Sequence, residues 1–103
     1  MDYLSRREKN ARIVLNEFYL PLKKALEKGD EEKLHHIADN LLANPRLAKA
    51  IEEANEGHPK LMAYALYLYL NRDKDVKEEI EETVKLLRNK PLKVLLLSLI
   101  EKD

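Results

Sequence analysis

Residues that start and stop helices recur along this chain at intervals of one helix length, which leaves room for little but helices. Lys28-Gly29-Asp30 reads as a basic last turn, a left-handed glycine and an N-cap carboxylate. Asn44-Pro45 reads as an N-cap followed by a proline at the first helical position. Gly57-His58-Pro59 reads as a glycine stop, a turn residue and another such proline, and Asn89-Lys90-Pro91 opens the last helix. Asp75 with Glu78 fits a start resembling a capping box, and Asp73 competes for the cap. Links of about two to four residues are expected between these marks.

Between the marks, apolar residues keep helical spacing. Leu4, Ala11, Val14, Leu15, Phe18, Leu22, Ala25 and Leu26 share the first stripe. Pro21 interrupts it, because proline removes one hydrogen bond and crowds the carbonyl of Glu17. Neither Tyr19 nor Leu20 caps a helix well, so a kink or tight break is expected near residues 19–21, not a loop. Leu34, Ile37, Ala38, Leu41 and Leu42 form the next stripe, then Leu47, Ala50, Ile51 and Ala54. Val76, Ile80, Thr83, Val84 and Leu87 follow, on a helix whose acids lie early and bases late, as its dipole favours.

Two stretches break the amphipathic pattern. Residues 61–70 are apolar all round, which predicts a central helix wrapped by others. In the last helix Leu92, Leu95, Leu96, Leu99 and Ile100 share a face, while Val94 and Leu97 lie opposite. Either this helix is also wrapped, or Val94 and Leu97 form an exposed interaction patch.

Charge and composition then exclude whole classes of function. Nineteen bases balance nineteen acids, so the basic excess that duplex nucleic acid or an anionic membrane demands is missing. Without cysteine there is no disulfide, thiolate or zinc knuckle, and two glycines cannot write a phosphate-cradling loop. At 45% hydrophobic the chain is too apolar for disorder, and 103 residues make one domain, 1–103, burying roughly 65% of its surface on folding. Residues 1–12 are charged, so no signal peptide is read. The longest apolar run spans ten residues, against about 20 for a bilayer core, so a soluble, cytoplasmic protein is expected.

Few residues invite chemistry. His35 and His36 diverge by about 100° on a helix, so they do not share a metal. His35 and Asp39 are one turn apart and chelate weakly at best, and Glu32-x-x-His35 has di-iron spacing in a single copy. Histidine phosphotransfer domains follow their histidine with Leu-Lys-Gly, whereas His36 precedes Ile37, Ala38 and Asp39. His58 reads as a turn residue, and the paired glutamates as a solvated surface. Ser5 and Ser98 are isolated, and Arg6, Arg7, Lys9 and Arg12 are interleaved with Glu8. Tyr64 and Tyr67 either line a pocket or carry their hydroxyls to the rim of the core. No catalytic, cofactor or metal residue is assigned.

Together the helix starts at Asp30, Asn44-Pro45 and Lys90-Pro91, the Gly29 stop, and the filling of Leu, Glu, Lys and Ala resemble computationally designed, idealised all-α proteins. The likeness covers the whole length and is one of style. Zero net charge, Pro21, the tandem histidines and seven asparagines depart from it. A helical protein from a hyperthermophile is the natural competitor. The expected fold is all-α, a single compact globule of six helices (seven if Pro21 breaks the first) with short loops and irregular, globin-like packing. The resemblance implies a thermostable scaffold with no evolved activity, no enzyme function, no cofactor and no required partner, monomeric or weakly self-associating. The alternative is a helical interaction module or self-associating protein.

Overall fold

The computed structural model describes residues 2–101, with side chains from Arg6 onward; Leu4 and Ser5, read above, lie outside the described side chains. The helices are α1 (Asp2–Val14), α2 (Leu20–Lys28), α3 (Glu31–Ala43), α4 (Pro45–Glu53), α5 (Pro59–Leu70), α6 (Lys77–Leu86) and α7 (Lys90–Glu101). A π turn, Leu15–Tyr19, joins α1 to α2. No strand occurs among the described residues. Val14 and Leu20 both keep right-handed helical angles, so α1, the π turn and α2 form one rod. The described residues therefore form an all-α globule of six rods.

Pro21 explains the π turn. Its ring cannot sit above a regular i−4 carbonyl, and it brings no N–H. The turn before it widens, and the Leu20 N–H reaches back to the Leu15 carbonyl. One consequence corrects the sequence stripe. Across the wide turn the buried positions are Val14, Phe18, Leu22 and Ala25, while Ala11 and Leu15 are exposed.

Most of the punctuation works as hydrogen bonds. Gly29 takes φ 65°, and Asp30 N–H bonds the Ala25 carbonyl at 2.8 Å, closing a Schellman-type turn. The side chains of Asp30, Asn44 and Asn89 accept from the N–H groups of Lys33, Leu47 and Leu92 at 3.0, 3.2 and 3.2 Å. Three readings change. The left-handed stop after α4 is Asn55 (φ 57°), not Gly57, because Asn tolerates that region and Glu56 N–H can then bond the Ile51 carbonyl. Neither Asp73 nor Asp75 caps α6; Val76 occupies the N-cap without a side-chain bond. The links at 54–58 and 71–76 are longer than expected.

The core forms around α5, which touches α3, α4, α6 and α7, as its all-round apolarity predicts. Met62, Ala63 and Leu66 are fully buried there, in one core cluster with Leu34, Leu41, Leu47, Ile51, Leu92 and Leu96 of neighbouring helices. Leu42, one position and about 100° round from Leu41, is exposed. The molecule measures 50 × 27 × 21 Å, long in one direction because its first rod is.

Candidate functional site

The main buried polar cluster joins three segments far apart in the chain. The π turn points Phe18 into the core and Tyr19 beside it, their rings edge-to-face at 5.0 Å. Tyr19 Oη donates to Glu56 Oε2 at 2.7 Å and accepts from Asn89 Nδ2 at 2.8 Å. Asn89 Nδ2 also donates to the Glu56 carbonyl at 3.4 Å, while its Oδ1 caps α7. Every polar atom of this buried side chain thus has a partner, which such burial demands. Burial, then the Glu56 carboxylate, push the Tyr19 hydroxyl from 10.0 up to about 12. The phenol stays protonated and works as a clamp, not a base.

That shift sets a pH dependence. A tyrosine held protonated in the fold stabilises fully below its unfolded pKa of 10.0, and the benefit fades as pH rises towards about 12. Chemical denaturation at pH 8, 10 and 11.5 is expected to show a decline above pH 10 that Tyr19→Phe reduces. An identical decline in the variant would assign the loss to other groups.

Beside this cluster, an open groove of about 680 Å³ runs between the start of α5 and the end of α6. Met62 and Leu87 form its buried floor, and Leu61, Tyr64 and Leu86 its walls. Lys60 and Arg88 stand at its rim, and no carboxylate lines it. Gly57 lies at one edge with φ 145°, where an added Cβ would come within 3.1 Å of Met62 Sδ. His58 is the N-cap of α5 but makes no cap bond.

A second polar group joins the later turns of α5 to α3. Asp39 accepts from Tyr67 Oη at 2.5 Å and from His35 Nδ1 at 3.2 Å, with the His35 and Tyr67 rings edge-to-face. The Tyr67 hydroxyl, then the adjacent His35, hold the Asp39 carboxyl below its usual value, and the same bond raises Tyr67. His36 faces solvent near Glu32. His35, His36 and Asp39 are exposed, while Tyr67 is half-buried against the core. No group of three or more metal-ligating side chains is found among the described residues.

The remaining candidates are dispersed. Val94 is 58% exposed, but Leu97 is half-buried and packs on the core, so the two do not form one open patch. Tyr64 faces the groove while Tyr67 turns to Asp39, so they share no pocket. Ser98 donates to the Leu95 carbonyl at 2.6 Å. Arg6 and Arg7 border a cleft of about 520 Å³ that Glu53 and Glu56 also line, so its charges offset. Three features escaped the sequence reading. Asn89 is a buried hub as well as a cap, and Leu86 is 66% exposed. Arg72 spans α5 and α3, stacking 4.3 Å above Tyr69 and bonding Glu31 at 2.6 Å.

Among the described residues no helix is long and apolar enough to cross a membrane. No protein-family model, curated protein or solved structure matches this chain.

Proposed function

We propose that this chain is a stable, soluble helical scaffold of the designed kind, carrying no evolved catalytic activity and accumulating in the cytoplasm of a cell that makes it. One observation carries the reading. The punctuation written in the sequence and the hydrogen bonds at the helix ends coincide at Gly29, Asp30, Asn44 and Asn89. Agreement between local signal and global fold at so many junctions is what a design procedure selects for. The buried polar chemistry also reads as structural, since the Tyr19–Glu56–Asn89 cluster consumes its own donors and acceptors.

Thermal unfolding followed by circular dichroism tests it. Idealised helical scaffolds are expected to melt above about 90 °C. A cooperative transition near 50 °C, within the mesophile range, would overturn the reading. A second reading, a helical interaction module, is favoured by Leu86 and Tyr64, which stand exposed on the walls of one groove.

A further inference from the structure

We propose that the groove between α5 and α6 is the contact face of a weak two-fold dimer of this chain. The proposal rests on the interaction-module reading and names its partner. Single exposed leucines are ordinary on protein surfaces. Here Leu86 (66% exposed) and Tyr64 (44%) stand together over an apolar floor, which makes a patch.

The charges around that patch are sorted. On the groove side the rim holds Lys60 and Arg88 and no carboxylate. One and two turns before Leu86 on α6 stand Glu82 and Glu78, both exposed. A matching partner needs an apolar centre with the opposite order of charge across it. A second copy supplies this when the two-fold axis runs across the line from acids to bases, because Glu82 and Glu78 of one copy then approach Lys60 and Arg88 of the other. Zero net charge removes the long-range repulsion that ordinarily keeps copies apart. The groove's nine lining residues fall short of the roughly 20 to 30 residues a side of a stable interface, so a weak dimer is expected.

Sedimentation equilibrium from about 10 µM to about 1 mM tests this, with each variant first checked for helicity by circular dichroism. Native protein is expected to shift from monomer to dimer across that range, less so in high salt. Leu86→Glu is expected to raise the dissociation constant at least about tenfold, as for a central apolar contact. Glu82→Lys should weaken the dimer, and pairing it with Arg88→Glu should recover part of the loss. Glu27→Lys, a reversal of the same size far from the groove, controls for net charge alone and should have the smaller effect. Three results overturn the dimer: a monomer at 1 mM, a dimer indifferent to Leu86→Glu, or one abolished by Val94→Glu instead. A synthetic helical peptide of leucine and glutamate separates the remaining cases. A monomer whose amide signals at Lys60, Tyr64 and Arg88 shift with that peptide overturns self-association and leaves the interaction module standing. A monomer that binds neither overturns both.

Discussion

Phe18→Ala is expected to lower the unfolding free energy by about 4 kcal/mol, the range for a large aromatic removed from a closed core. Phe18 is fully buried, and Val14 and Leu22 lie one turn away on the same line. The position also cannot collapse easily. It sits in the π turn, whose geometry is dictated from the next helix by Pro21, so the backbone has little freedom to close the cavity. Urea titration checks the value: the midpoint should fall with the slope unchanged. A loss under about 1 kcal/mol would mean that the turn does not pack as described.

Asn89→Ala is expected to cost about 3 kcal/mol. Loss of the α7 cap contributes about 1 kcal/mol. Each of the two hydrogen bonds to Tyr19 and Glu56 adds about 1 kcal/mol, the cost of leaving their partners unsatisfied included. Asn89→Asp separates these contributions. It keeps the acceptor for Leu92 but loses the donor, and it sets a second carboxylate near Glu56, so it should be no milder than alanine. Urea midpoints of both variants decide the matter. If aspartate were nearly neutral, the cap alone would account for the residue.

Helix ends were the most legible part of this fold, because a cap is a local contract between residues three positions apart. Asp30 and Asn44 needed no knowledge of the rest of the chain. Asn55 was missed because asparagine reaches left-handed angles without announcing it, and Gly57 nearby offered the louder signal. The central place of α5 followed from its composition, since a helix apolar on every side must be surrounded. Leu15 was misplaced because a helical wheel assumes 3.6 residues per turn, and Pro21 forces a wider turn nearby. The site fared less well. Asn89 reads identically as a plain cap or as a hub, and only tertiary packing brings Tyr19 and Glu56 to it. Leu87 was legible on the buried stripe, whereas Leu86, off that stripe, gave no sign that it would stand beside Tyr64 over a groove.

The Asn89–Tyr19 hydrogen bond also bears on the order in which this chain assembles. Caps close over three positions and form with their helices, whereas this bond joins residues 70 positions apart. Closing so long a loop loses chain entropy that local contacts never face. The rods can therefore form and begin to collapse before the tie is made, and its energy is expected to enter after the rate-limiting barrier. A contact made that late acts as a latch: it does little to hasten folding and much to lengthen the life of the folded molecule.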